Sequence, residues 1–230
     1  NNSSERDKAK RYASFAEILT PLVKCYGSEA SLGAIANAIQ VLGGVGYTQE
    51  YPVEQYLRDS KILTIWEGTS FIHANDLVGR KMRMKEGQPF RDWLADIKAF
   101  IDANRNAPGF AKEMTNLAKG FACAEEVTAI YDGWYAQMET KRQLIPLFAI
   151  RALFVFAQVY VAMCLLDQAL LAERQLAVAE PFDHPFYEGK IASARYYARN
   201  ILPQAFVITD LIREEDDTVL TCPEESLVVR

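Results

Sequence analysis

Apolar residues recur at three- and four-residue spacing through most of this chain, while sustained period-two alternation rich in Val, Ile and Thr is nearly absent. The chain therefore reads as all-α, with six or seven helices. The first is predicted over roughly 8–26. A second opens after Ser28 as its N-cap, runs through Leu32, Ile35, Ala36 and Ile39, and stops at Gly43-Gly44. Pro52 suits the first turn of a short helix through Val53, Tyr56, Leu57 and Ile62, and Ser70 suits the cap of the next, whose Ile72, Leu77 and Val78 form one buried face. From Met82 to Pro89 the periodicity lapses into Lys-Glu-Gly-Gln-Pro, which predicts a linker between two units, 1–85 and 86–230. Beyond it, helices are predicted over about 90–103, 111–135, 144–178 and 185–212. Four antiparallel helices with short connections make a bundle, with Trp93, Phe100, Trp134 and Tyr135 in its core. The tail after Arg213 is too charged for a core, and Val219-Leu220 and Leu227-Val228-Val229 are expected to dock as an extended, strand-like end.

With 230 residues, half of them hydrophobic, the chain can bury a substantial core. A net charge of −5 and a pI near 5.2 leave no basic field for phosphate backbones, so no nucleic-acid partner is expected. Cys25, Cys123, Cys164 and Cys222 are scattered without Cys-x-x-Cys spacing, and only His73 and His184 could assist them, so no metal site is expected. They read as reduced thiols of a cytoplasmic protein. The polar start, Asn1 to Lys8, lacks the apolar core of a signal peptide. The uncharged stretch from Ala152 to Leu166 falls short of the roughly 18–20 residues of a membrane span and reads as a helix buried in the bundle.

Between Ile39 and Thr69 lies the densest chemistry. Gly43-Gly44-Val45-Gly46, taken alone, is a helix C-cap followed by a turn, since it lacks the full spacing of a dinucleotide-binding loop and follows no strand. Glu67, taken alone, could be an exposed loop carboxylate. In an enclosed, glycine-flanked, apolar setting it would instead be a desolvated carboxylate beside room for a flat ligand, which suits a general base for carbon acids. Arg58-Asp59 reads as a structural pair at a helix end rather than a substrate clamp. Asp183-His184 has no nucleophile elbow to complete a triad.

The order and separation of Gln40-x-x-Gly43-Gly44-x-Gly46-Tyr47, Glu50-Tyr51-Pro52-Val53-Glu54, Arg58-Asp59 and Trp66-Glu67-Gly68-Thr69 resemble the end of the catalytic core of the acyl-CoA dehydrogenases. The resemblance covers about the first 80 residues. The remainder, from Ala74-Asn75-Asp76-Leu77-Val78-Gly79-Arg80-Lys81 onward, is similar to the extra helical domain of the larger bacterial members, including the methylmercaptopropionyl-CoA type. The resemblance implies FAD as cofactor and an acyl-CoA thioester as substrate. Glu67 would be the base that takes the α-proton while the β-hydrogen leaves as hydride to the flavin. It further implies that the thioester oxygen is stabilised by the Glu67 backbone N–H and a flavin hydroxyl, that Gly68 admits the acyl group, and that Trp66 and Thr69 contact the flavin. Gln40, Gly43 and Gly44 match positions that touch the FAD of a neighbouring subunit, which implies a homo-oligomer, dimer or tetramer, with electron-transfer flavoprotein as acceptor. His73 stands where many relatives carry glutamine. The chain then corresponds to a C-terminal piece, expected to be inactive by itself, because the family's N-terminal helices and β-domain have no counterpart here. The alternative is a non-catalytic helical module that builds dimers.

Overall fold

The computed structural model describes residues 2–228, and among them every regular element is helical. Asn1, Val229 and Arg230 lie outside the described residues. Helix α1 runs unbroken from Asn2 to Leu42, so the predicted pair of helices is a single one. The reason is local: Ser28 does not cap a new helix but turns its hydroxyl back onto the carbonyls of Lys24 (2.7 Å) and Cys25 (3.0 Å), a bond that interior helical serines make. At the other end Gly43 adopts φ 66°, the left-handed conformation that stops a helix as predicted, and a 3₁₀ turn spans Gly43–Tyr47. Helix α2 covers Val53–Leu63, with Pro52 immediately before it. Helix α3, Ser70–Asp76, is prolonged by a π-turn, Leu77–Lys81.

The predicted linker is a kink. Lys85, Glu86 and Gly87 all have positive φ (49°, 59° and 79°), and Pro89 then sits in the first turn of α4, Gln88–Asn104. Helix α5 spans Ala111–Ala136 and buries Met114, Leu117, Phe121, Ala124, Tyr131 and Trp134 at helical spacing. The predicted helix over 144–178 is interrupted. Short helices α6 (Met138–Lys141) and α7 (Leu144–Leu147) precede the long α8, Ala149–Leu176. The helix predicted over 185–212 is also divided, into α9 (His184–Tyr196) with a π-turn at Tyr197–Ile201, and α10 (Gln204–Arg213). Pro203, which cannot donate within a helix interior, marks that break. The tail forms a helical turn, α11 (Thr218–Thr221), and a 3₁₀ turn at Glu224–Leu227, in place of the expected strand-like end.

Helix α8 is the axis of the fold. It is long and apolar enough to cross a membrane by length and composition, yet Ala152, Leu153 and every residue from Val155 to Val159 are buried against neighbouring helices. One cluster of buried side chains joins Ile18, Leu22 and Cys25 of α1, Ala74, Leu77 and Val78 of the α3 segment, Trp93 and Ile97 of α4, Trp134 of α5 and Phe156 of α8. Polar ties cross the same seam. Tyr26 and Tyr197 share a hydroxyl–hydroxyl bond of 2.7 Å, Tyr135 donates to the Val78 carbonyl at 2.8 Å, and the Arg83 guanidinium lies 4.1 Å over the Tyr135 ring. Buried Lys81 pairs with Glu17, and Arg11 with Asp96. The predicted core aromatics are found there: Trp93 and Trp134 are buried, and Phe100 and Tyr135 pack against the cluster. Cys25, like the other three cysteines, is free, and burial pushes its thiol up to about 11, away from reactivity.

Candidate active-site loop

The segment between α2 and α3 is closed by its own backbone. Ile65 N–H and Trp66 N–H both donate to the Ile62 carbonyl (2.9 and 3.0 Å), and Ser70 N–H reaches back to the Thr64 carbonyl at 3.1 Å. Thr69, rather than the expected Ser70, caps α3: its hydroxyl oxygen accepts from Ile72 N–H at 3.4 Å while its backbone is extended. Ser70 is the first helical residue, and its hydroxyl donates to Glu29 of α1 at 2.5 Å. Between these fixed points the chain must reverse in two residues. Glu67 (φ 54°) and Gly68 (φ 103°) do so with consecutive positive φ angles. Glycine takes such angles without penalty; for glutamate the left-handed region is sparsely populated and must be imposed by its surroundings.

Two side chains bond to the carbonyls of this turn. His73 Nε2 lies 3.0 Å from the Glu67 carbonyl oxygen, and Lys24 Nζ donates to the Gly68 carbonyl at 2.6 Å. Lys24 and Glu29 were not legible as loop supports, because they sit on α1 some 40 residues earlier and no local spacing links them to it. The Glu67 side chain is exposed, as are Trp66 (52%) and Thr69, so the enclosed apolar setting expected for Glu67 is not formed by the described residues. The loop offers one wall, and its outer side is open.

The second predicted set lies on a different segment. Gln40, Gly43 and Gly44 are exposed at the end of α1, and a Cβ added to either glycine would meet nothing within 4 Å, leaving bare backbone open to close approach. Gly46, by contrast, is buried, and an added Cβ would fall 2.8 Å from Leu42 Cβ, so its smallness serves the fold. Around both segments lies an unusual density of exposed apolar side chains, including Val41 (87%), Tyr47 (81%), Tyr56, Ile62 and Ile72. Arg58 pairs with Glu54 at 2.7 Å one turn away, and Asp59 accepts from Gln55 at 3.4 Å, in line with a structural role. His184 Nε2 lies 3.2 Å from the Ala179 carbonyl oxygen at the start of α9. Among the described residues no group of three or more His, Cys, Asp or Glu side chains gathers as a metal site would.

A family model described as "Acetyl-CoA dehydrogenase C-terminal like" matches residues 93–223, and one described as "Acyl-CoA dehydrogenase, C-terminal domain" matches residues 4–82. A butyryl-CoA dehydrogenase of Syntrophomonas wolfei is 40% identical over 213 residues, 92% of this chain and 34% of its own length. A 3-methylmercaptopropionyl-CoA dehydrogenase of Ruegeria pomeroyi is 31% identical over 209 residues, 90% of this chain and 35% of its own. An acyl-CoA dehydrogenase complexed with FAD, from Bacillus anthracis, shares the fold at a TM-score of 0.60 and 16% identity, over 89% of this chain and 35% of that one. The chain spans about a third of the length of the relatives it matches.

Proposed function

The chain belongs to the acyl-CoA dehydrogenase family, and from that premise we propose that it supplies the base-bearing wall of an FAD-dependent enzyme that dehydrogenates an acyl-CoA thioester between Cα and Cβ. The observation that carries the proposal is the Trp66-Glu67-Gly68-Thr69 loop, whose carboxylate stands on a strained, doubly anchored turn open on its outer side. The side chains present fit a flavin. Trp66 offers an exposed aromatic ring, the Thr69 hydroxyl retains its proton for a ligand while its oxygen caps α3, and Gly43 and Gly44 offer unshielded backbone beside the Gln40 amide. FAD, when bound, supplies the acceptor for the hydride that leaves Cβ.

Glu67 takes the proton from Cα. That proton becomes acidic enough only where the thioester oxygen is stabilised as it gains negative charge, and the Glu67 backbone N–H is the proposed donor from this chain. Gly68 is the proposed neighbour of the acyl group through its half-buried backbone, since His73 holds the space a side chain would take. Desolvation of Glu67 comes from the bound ligands and the other wall of the site. Residues 1–85 then form the end of the catalytic core and 86–230 an additional helical bundle, a division supported by family models that fall on either side of the kink. The exposed apolar side chains at the end of α1 and along α2 and α3 support assembly as a homo-oligomer, the feature that also favours the second reading, a helical dimer-building module. Electron-transfer flavoprotein is the proposed acceptor, and the free, scattered thiols support a cytoplasmic setting.

Replacing Glu67 by Gln in the complete protein keeps shape and polarity while removing the proton acceptor. The expected result is full flavin occupancy with flavin reduction by acyl-CoA slowed about 10²- to 10⁴-fold, the usual worth of a general base. Near-normal bleaching of the flavin in stopped flow would move the base elsewhere.

A further inference from the structure

We propose that His73 and Lys24 are positioning residues for Glu67, a two-point clamp on consecutive carbonyls; the inference rests on the reading of Glu67 as the base. A left-handed glutamate followed by a glycine at φ 103° persists only where its surroundings over-determine the backbone. Here the determinants come from two helices. His73, from the first turn of α3, holds the Glu67 carbonyl at 3.0 Å, and Lys24, half-buried on α1, holds the Gly68 carbonyl at 2.6 Å with a charge-assisted bond. A carbonyl oxygen only accepts, so Nε2 of His73 is the protonated ring nitrogen, an assignment made from the bond itself.

The His73 ring is also held by contact. A Cβ built on Gly68 would fall 3.1 Å from His73 Nε2 and 3.5 Å from Ile72 Cγ2, so the imidazole edge lies where a side chain at this position would begin. The helix that carries His73 is in turn started by the same loop, through the Thr69 cap and the bond from His73 N–H to the Thr69 carbonyl at 3.2 Å. Loop and helix thus fix each other, and the direction in which the Glu67 side chain leaves the backbone follows from both. Neither His73 nor Lys24 touches reacting atoms. Their effect is on where the carboxylate stands, and displacement of a reacting group by about 1 Å can cost about 10²-fold in rate.

The test uses the complete, flavin-loaded protein with acyl-CoA, reading kcat per bound flavin, KM and flavin occupancy. His73→Leu and Lys24→Met are expected to lower kcat about 10- to 100-fold with KM changed by less than about 3-fold and flavin retained. His73→Gln, whose amide N–H can donate in place of the ring, is expected to recover most of the loss. Unaltered kcat per flavin in both His73→Leu and Lys24→Met would overturn the clamp. So would failure of both variants to load flavin, since the two side chains would then serve folding alone. If only one loads flavin, its kcat decides. Glu67→Gln measured beside them separates the two ideas: a normal rate there removes the base, whereas its collapse alongside unaltered clamp variants removes only the clamp.

Discussion

Glu215 belongs to the run Glu214-Glu215-Asp216-Asp217, which reads as solvated tail, yet its carboxylate accepts from the indole N–H of buried Trp134 at 2.6 Å and pairs with Lys141. The backbone at Glu215 turns left-handed (φ 52°) to reach them. Lys141, and then the Trp134 bond, hold this carboxyl below its ordinary value of 4.5. A group whose pKa is depressed by folding adds stability that is fully present above the unfolded pKa and fades as pH falls through the folded one. The chain should therefore melt higher than a Glu215→Gln variant at pH 6–7, and the gap should close below about pH 4.5. Thermal melts of the pair across that range check it, and a gap that stays flat would mean the carboxylate charge is irrelevant to the dock. At this scale the sequence was legible where one residue type answers one backbone demand, as Gly43 does at the end of α1. It was not legible where the demand is met by a distant partner. Thr69 takes the cap because Ser70 is drawn to Glu29 on α1, and neither preference is written in the local pattern.

Helix α8 shows how apolar content misleads about surroundings while reporting structure correctly. Its uncharged middle is buried on nearly every side, with Val159 fully enclosed and Gly120 of α5 close against it. Val159→Asp should lower stability by about 3–5 kcal/mol, since an unpaired buried carboxylate must neutralise or disrupt its surroundings. Circular dichroism melts of the two chains decide this, and an unchanged midpoint would show that α8 is not enclosed. The existence of the long helices was legible from spacing, whereas the short turns at Met138–Lys141 and Thr218–Thr221 carry too few residues to show a period. Two of the boundary failures have clear physical causes. Serine bonding within α1 carried the helix past a position that resembles a start, and Pro203 cut a helix whose apolar period continues on both sides.

Over the whole molecule the two predicted units share one buried cluster, so the kink at 85–87 changes the direction of the chain without dividing its core. The proposed flavin contacts, in contrast, all lie on an open surface. The chain of 230 residues, purified as it stands, should therefore carry no flavin absorbance and reduce no acceptor with acyl-CoA. A stoichiometric flavin band in its spectrum would show that the described wall suffices. Composition and spacing made the fold class visible because helical periodicity is a property of every segment. The candidate site was legible only through the linked motifs, and the bonds that Lys24 and Glu29 make to the loop came from the packing of α1 against it.

The three tryptophans divide these regions among themselves. Trp66 stands in the open loop, Trp93 is buried with an indole N–H that has no protein partner, and Trp134 is buried with its N–H bound to Glu215. The protein thus contains three indole fluorophores in three electrostatic environments, one each at the loop, among the packed helices and at the tail dock. An aqueous ionic quencher reaches the first in the folded state and the other two only on opening. Indole emission can therefore register the covering of the open loop, core integrity and tail release without any attached label.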